Sequence, residues 1–326
     1  MMMNKALLSL TIILLIFLGS CRDEIDDMPT DFITTKLHLQ MDGEIKDMLI
    51  LNDSSWYICG GDKSDKGFIF LSENQGQSWE TVLETRNHSV NALFYSPEAK
   101  YLAGGDSIKL WRSEDGRSWR ENPRAPCYWS SCRNPYHALH VWKKNLVFAV
   151  GGEYFQRGIT SRSTTGDSYW VQLYWPNQLN DMIVNHHEVT IAGYAMVLHS
   201  DDTAQNFRDM KMYKKNYISL AQTTNGDMLM LAEEGNIYKL TENGWEEKAD
   251  LQGRFRDLAF SSSSGIAIGD KGIIAIGNAQ GENWKIHQFI NDKHLSCVTA
   301  IAQGFLLGCR DGSLYLLENQ LSDVYR

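Results

Sequence analysis

Two sets of polar residues recur at matching places along this chain, and both carry side chains suited to acid–base or ligand chemistry. The first set is Asp47, Asn91, His137, Asp181, Ser219, Asp257 and Thr299, each beside apolar residues. The second is Asp62, Asp106, Glu153, Tyr194, Glu234, Asp270 and Asp311, nearly all acids. Carboxylates gathered in one cup repel, so some must be protonated, paired or bridged by a cation. Arg256, Arg310, Lys63 and Lys271 adjoin members of the two sets and are candidates to neutralise them. Two carboxyls about 5–5.5 Å apart suit a retaining glycosidase, and about 6.5–9.5 Å an inverting one; Asp181 and Asp257 are a candidate pair. Asp and Asn oxygens also suit calcium, but no contiguous calcium loop is present, and neither a cofactor nor a metal ligand set is expected. The structural alternative is that both sets hydrogen-bond loop backbones and hydrate a channel.

The elements that hold these residues repeat. The first set sits in short apolar strands: KDML from Lys46, VNAL from Val90, YHAL from Tyr136, NDMI from Asn180, ISLA from Ile218, RDLA from Arg256 and VTAI from Val298. The second set ends a following strand, as in WYICGGD (56–62), YLAGGD (101–106) and FAVGGE (148–153). Paired glycines weaken an ordinary strand, but they fit inner strands that crowd toward an axis. A third strand then runs into a turn of the form S-x-D-x-G-x-x-W. The copies are Ser72–Trp79, Ser113–Trp119, Ser163–Trp170, Ser200–Phe207 and Gly277–Trp284, with a worn copy ending at Trp245. The spacing of about 40 residues is that of a blade-type repeat. In such a turn the Asp or Asn caps N–H groups, Gly takes a positive φ, and the Trp buries a large apolar area between neighbouring units.

This motif resembles the Asp-box of β-propellers, over about residues 34–320. The expected fold is all-β: a single seven-bladed propeller of four-stranded antiparallel blades. The seventh unit lacks a fourth strand, which Thr34–Met41 is expected to supply, so that closure removes the exposed edges. A six-bladed ring follows instead if the worn fifth unit merges with a neighbour. Asp-box propellers include sialidases, xyloglucanases and photosystem II assembly-factor propellers, and the resemblance is unspecific for activity. Sialidases use an arginine triad that begins early, yet no arginine lies between Arg22 and Arg86. Xyloglucanases of this type use two propellers, and only one fits here. The assembly-factor propellers match best in layout, which implies a rigid disc presenting loops to a partner.

Aromatic residues gather in one sector: Tyr128 and Trp129 in the long link 121–136, Tyr154 and Phe155 after the third second strand, and Tyr174 and Trp175 in the link to blade four. With Asp47, Asn91, His137, Asp181, Asp257, Asp62, Asp106 and Glu153 they form the candidate partner-binding set. Cys127 and Cys132 share a loop and are candidates for a disulfide. A hairpin centred on Gln303 would set Cys297 opposite Cys309, within bridging reach. Cys59 is left over and expected to be buried.

The N-terminus reads as a processing signal. Lys5 precedes the apolar stretch Ala6–Phe17, and Leu18-Gly19-Ser20-Cys21 resembles the lipobox of bacterial lipoproteins. That implies a signal peptide over 1–20, a lipidated Cys21, an acidic tether over 21–33 and a short tail over 321–326. The acidic run Arg22–Asp27 resembles the export signal of surface lipoproteins in Bacteroidetes, which implies a surface-exposed outer-membrane lipoprotein held by its lipid. A net charge of −9 without a Lys/Arg cluster argues against nucleic acid. The functional expectation is a non-catalytic binding or assembly module for an outer-membrane protein complex or a glycan. The alternative is a glycan-active enzyme.

Overall fold

The computed structural model describes residues 26–29, 32–63, 65–122, 133–143, 145–166 and 170–319. It is a ring of seven antiparallel sheets, so the seven-bladed reading holds and the six-bladed one does not. Blade 1 comprises Glu44–Ile50, Trp56–Gly61, Lys66–Ser72 and Glu80–Arg86; blade 2, Val90–Ser96, Lys100–Gly105, Leu110–Ser113 and Arg120–Glu121. Blade 3 comprises Tyr136–Lys143, Leu146–Glu153, Gln156–Ser163 and Trp170–Trp175; blade 4, Leu179–Asn185, Glu188–Gly193, Met196–Ser200 and Arg208–Asp209. Blade 5 comprises Tyr217–Gln222, Met228–Ala232, Asn236–Thr241 and Gly244–Asp250; blade 6, Phe255–Phe260, Ser264–Gly269, Ile273–Asn278 and Lys285–Gln288. Blade 7 has Leu295–Ile301, Gly304–Cys309 and Leu314–Asn319, and its fourth strand is the N-terminal Phe32–Leu37.

Closure by the N-terminal strand is as expected, though that strand starts at Phe32 rather than Thr34. The acidic segment also takes part: Asp26–Asp27 pairs in parallel with His287 and Gln288 on the outer edge of blade 6. Cys21, at which lipidation is expected, lies outside the described residues, as do the tail and the link residues Cys127, Tyr128, Trp129 and Cys132.

Seven apolar clusters fill the seven junctions between blades. Trp79, Trp119, Trp170, Phe207, Trp245 and Trp284 each enter a different one, between their own blade and the preceding blade. Blade 7 has no such turn residue. Phe32, at the matching start of its fourth strand, packs into the blade 6–7 junction together with Met28. The S-x-D-x-G-x-x-W turns show why the motif repeats. Asp115 accepts N–H bonds from Arg117 at 2.9 Å and Ser118 at 2.7 Å. Those N–H groups hold its carboxyl well below the usual range. Gly116 has a φ of 75°, and a side chain there would strike the Tyr57 hydroxyl. These acids serve the turns.

One cysteine expectation fails. The hairpin turns on two residues, with Ile301 opposite Gly304, and the strands slip again between Leu295 and Cys297. Cys297 therefore pairs with Gly308, and Cys309 with Leu295. Their side chains enter different junctions, 7–1 for Cys297 and 6–7 for Cys309, and both are free and buried. Cys59 is buried and free as expected.

Candidate functional site

All seven first strands share a feature that sequence periodicity hides. Each loses register by one residue near its start, leaving Lys46, Asn91, His137, Asn180, Ile218, Arg256 and Ser296 without a cross-strand partner. A bulge re-aims a side chain. Here the bulged residues line the mouth of an axial cavity of about 450 Å³. The next residues form an inner ring: Asp47, Ala92, Ala138, Asp181, Ser219, Asp257 and Cys297. The polar set read from sequence therefore mixes two rings. Asn91 and His137 are bulge residues, Asp47, Asp181, Ser219 and Asp257 belong to the inner ring, and Thr299 pairs with Leu306 further down the strand.

The three inner aspartates tie blades together. Asp47 accepts the Met48 N–H on one oxygen and the blade 2 Leu93 N–H on the other, both at 2.7 Å. Asp181 does the same with Met182 and with Leu220 of blade 5, both at 2.7 Å. Asp257 takes the Leu258 N–H and the Ser219 hydroxyl on one oxygen and the Val298 N–H on the other, all at 2.8 Å. At the 7–1 junction, Ser296 donates to the Ile45 carbonyl at 2.6 Å. Burial pushes Asp47 and Asp181 up to about 7, against the pull of their N–H donors, and raises Asp257 too. Ala92 and Ala138 have no group to make such a clamp.

His137 donates from Nε2 to the Gly152 carbonyl, 2.9 Å away, which fixes the tautomer. Burial lowers its pKa, so the ring is neutral at pH 7. Asn91 joins a buried knot with Ser89 and Asp106. The Ser89 hydroxyl lies 2.6 Å from Asn91 Oδ1 and 2.7 Å from Asp106, and it accepts from Lys46 at 3.1 Å.

The second acidic set also changes on inspection. A repeated bond from the residue after the second strand to the chain entering the first strand fixes the equivalence. By that bond Asp106, Tyr194, Glu233, Asp270 and Arg310 correspond, joined by Gly152. Asp62, Glu153, Glu234 and Asp311 lie one residue further out. Glu233, which the sequence reading passed over for Glu234, is the acid that bonds Arg254, Asn216 and Arg256. Burial pushes Glu233 up, but these partners outweigh it and the net shift is downward. Asp270 behaves likewise: Arg256 at 2.8 Å and His294 at 3.1 Å overcome burial and hold it at about 2. Arg310 approaches Glu44 at 3.5 Å. Lys63 pairs with Glu153, and Lys293 with Asp311. The expected neutralising roles of Arg256, Arg310 and Lys63 are therefore met, with Arg254, His294 and Lys293 as additions. Among the described residues, no group of three or more His, Cys, Asp or Glu is placed to hold a metal ion.

The aromatic sector divides. Trp175 lies in the fourth strand of blade 3, not in a link; it packs edge-on to Phe207 with centroids 5.8 Å apart, and its indole N–H reaches Thr160. Its ring belongs to the blade 3–4 junction. Tyr154 and Phe155 form the tip of a hairpin between Glu153 and Gln156, with φ of 58° and 59°. Two consecutive left-handed residues define the tight turn that normally takes Asn-Gly. Aromatic residues there cost roughly 1 kcal/mol or more each. The tip is nonetheless 71 % exposed at Tyr154 and 52 % at Phe155. Phe155 packs on Tyr194, 5.0 Å between centroids, and Lys63 lies 6.0 Å from the Tyr154 ring.

No family model matches the chain. No curated protein matches it either. Solved structures do match in fold. YCF48 bound to D1 peptide superposes with a TM-score of 0.69 at 14 % identity, covering 90 % of this chain and 97 % of that one. The WD40 β-propeller domain of Doa1 gives 0.68 at 12 % identity, covering 90 % and 99 %. Virginiamycin B lyase from Staphylococcus aureus gives 0.70 at 11 % identity, covering 88 % and 99 %. The chain is thus a seven-bladed propeller with structural similarity to YCF48. A lyase shares the architecture, so fold alone does not decide activity.

Proposed function

We propose that this protein is a non-catalytic binding module that captures a protein partner on the axial mouth face, with the Tyr154–Phe155 hairpin tip as its main contact. The observation that carries the reading is the strained tip. Two aromatic rings are held in water by a backbone conformation that disfavours them, and strain of this kind gathers at ligand-binding sites. The neighbouring Tyr194 and the Lys63–Glu153 pair give the tip an apolar centre with a polar rim, the make-up of a partner-binding surface. YCF48 in complex with a D1 peptide is a structural precedent for peptide binding by this fold.

The inner acids support the same reading against a glycan-active enzyme. General acids and nucleophiles need a free oxygen facing substrate. Asp47, Asp181 and Asp257 each spend both oxygens on N–H donors, and Asp270 and Glu233 are held by arginines. The anchoring part of the proposal is a lipid at Cys21, with the body at the outer membrane and its partner in the cell envelope. The lipobox resemblance and the acidic run behind it support that part. The Asp-box resemblance supports a structural role for the turn acids.

The test is affinity capture from detergent-solubilised envelope with tagged wild type and a Tyr154→Ala/Phe155→Ala double variant, read by mass spectrometry. One stoichiometric envelope protein, lost in the variant, is the expected result. Equal capture by both proteins would overturn the assignment of the tip. Turnover of envelope glycans by purified protein, abolished by Asp181→Ala, would overturn the non-catalytic reading.

A further inference from the structure

We infer that the ring is mounted on a lipid surface by the rim of blade 6, with its turn face toward the lipid and its axial mouth facing away. This mounting rests on the lipid anchor proposed at Cys21 and adds which surface of the ring meets the membrane. Two described segments fix where the chain joins the ring. Asp26–Asp27 lies on the outer edge of blade 6, and Phe32–Leu37 closes blade 7 beside it. Cys21 precedes Asp26 by five residues. An extended chain covers at most about 3.6 Å per residue, so those five residues reach no further than about 18 Å. A compact chain of this length is roughly 50 Å across. An anchor at Cys21 therefore holds the blade 6 side of the ring against lipid and is too short to hold the far side there.

Strand direction decides which face the anchor leaves from. First strands begin at the mouth, where their bulges line the axial cavity. Direction alternates through each blade, so third strands run away from the mouth into the S-x-D-x-G-x-x-W turns and fourth strands run back toward it. Asp26–Asp27 is parallel to the fourth strand of blade 6, with Asp26 beside His287 and Asp27 beside Gln288. It too runs toward the mouth, so the chain arrives at Asp26 from the turn side. A return to the mouth side would need a tight reversal within residues 22–25, which contain neither glycine nor proline to make one.

The rest of the ring is then oriented by its own order. Blade 3 is three blades from blade 6 by the shorter way round, as far as a ring of seven allows. Tyr154 and Phe155 join its second and third strands, on the mouth side. The tip is therefore remote from the bilayer on both counts. Eight large apolar side chains stand exposed among the described residues, and seven of them belong to blades 3 and 4 or to the segment that follows blade 4. The opposite mounting would press these side chains into lipid, and the tether is too short to allow it. Mounted by blade 6, the ring presents them away from the membrane, where a partner can reach them.

Photocrosslinking of the full-length lipidated protein in vesicles of phosphatidylethanolamine and phosphatidylglycerol tests the mounting. The photoreactive residue p-benzoylphenylalanine replaces Glu282, Lys271 or Tyr154 in turn, all of them exposed, so the fold should be kept. Glu282 lies in the turn of blade 6, and Lys271 on the mouth side of the same blade. Lipid adducts, read by mass spectrometry, should be more abundant at position 282 than at 271 and absent at 154. Adducts at 154, or a yield at 271 equal to or above that at 282, overturn the mounting and leave the anchor standing. The intact mass of the same preparation separates the two proposals: acyl chains on Cys21 are expected, and a protein without them overturns the anchor and the mounting together.

Discussion

The junctions on either side of blade 3 differ from the other five. At 1–2, 4–5, 5–6, 6–7 and 7–1, a side chain near the axis bonds across to the next blade: Asp47, Asp181, Ser219, Asp257 and Ser296 in turn. At 2–3 and 3–4 the inner-ring residues are Ala92 and Ala138, and the cross-blade bonds move outward. Arg112 reaches the Gly166 carbonyl at 3.3 Å, Arg162 the Thr203 carbonyl at 3.2 Å, and Trp142 the His186 carbonyl at 2.6 Å. Blade 3 also carries the strained aromatic tip. The ring fixes five junctions at its centre, and the blade whose tip is proposed to contact a partner is the one without a clamp at either of its junctions. Polar residues at the axis are thus the structural part of this molecule, and the surface with features of recognition lies to one side.

The contrast is sharpest in stability. Asp257→Ala strands two N–H groups and the Ser219 hydroxyl, and should cost about 3 kcal/mol at pH 5, since each unsatisfied buried donor costs ~1–3 kcal/mol and some relaxation follows. Ala138→Ser should stay within about 0.5 kcal/mol. Urea denaturation of the two variants beside wild type measures both. Equal costs would erase the distinction between the arcs.

The pH dependence of the clamps follows next in size. Asp181 has a folded pKa of about 7 against an ordinary value of 3.8. Between those values the unfolded chain releases its proton and the folded protein keeps it, so this group's contribution to stability falls as pH rises from about 4 to 7 and is constant above. The ceiling for one such group is about 4 kcal/mol over the whole range, of which about 3 kcal/mol falls between pH 4.5 and 7.5. His137 and His140, whose pKa values burial lowers, act in the opposite direction but are common to wild type and Asp181→Ala. The difference between those two proteins should therefore shrink by that amount from pH 4.5 to 7.5. A difference that grows with pH would mean that Asp181 is an anion in the fold throughout.

How much of this was legible in the sequence depends on the length scale of each signal. Seven strands of each kind, with a motif every 40 residues or so, report the ring directly, because apolar periodicity and turn chemistry are local. The missing fourth strand of the last unit pointed to closure from the N-terminus, and Phe32 completes the junction that lacks a turn Trp. Single-residue register did not survive. A bulge adds one residue without changing composition, so Asn91 and His137 were grouped with Asp47 although they point to a different ring. The same one-residue slip separated Cys297 from Cys309 and exchanged Glu233 for Glu234. Trp175 was misplaced because an aromatic at a strand end reads like one in a loop. The clamps themselves are visible afterwards as Asp-Met or Asp-Leu pairs at Asp47, Asp181 and Asp257, but knowing that the N–H acceptor lies in the next blade requires the fold.

Two smaller changes address blade 3 directly. Replacing Tyr154-Phe155 by Asn-Gly keeps the hairpin and removes its strain, so stability should rise by about 1–2 kcal/mol while partner capture falls. A rise in melting temperature with capture unchanged would mean that the tip is tolerated strain with no role in binding. The smallest effect is expected from transplanting a clamp. Ala138→Asp places a carboxylate where Asp47 and Asp181 sit, aimed at the N–H of Met182 in blade 4, the position equivalent to Leu93 and Leu220, although this donor is shared with Asp181, which already accepts it at 2.7 Å. Burying the new carboxylate opposes the bond it gains, so the net change should be within about 1 kcal/mol. The informative readout is amide exchange at Met182, which should slow relative to wild type if the 3–4 junction opens more readily than the clamped ones. Unchanged exchange at Met182, with the aspartate folded into place, would show that apolar packing already holds this junction as firmly as the clamps hold the rest, and that blade 3 is set apart by its surface alone.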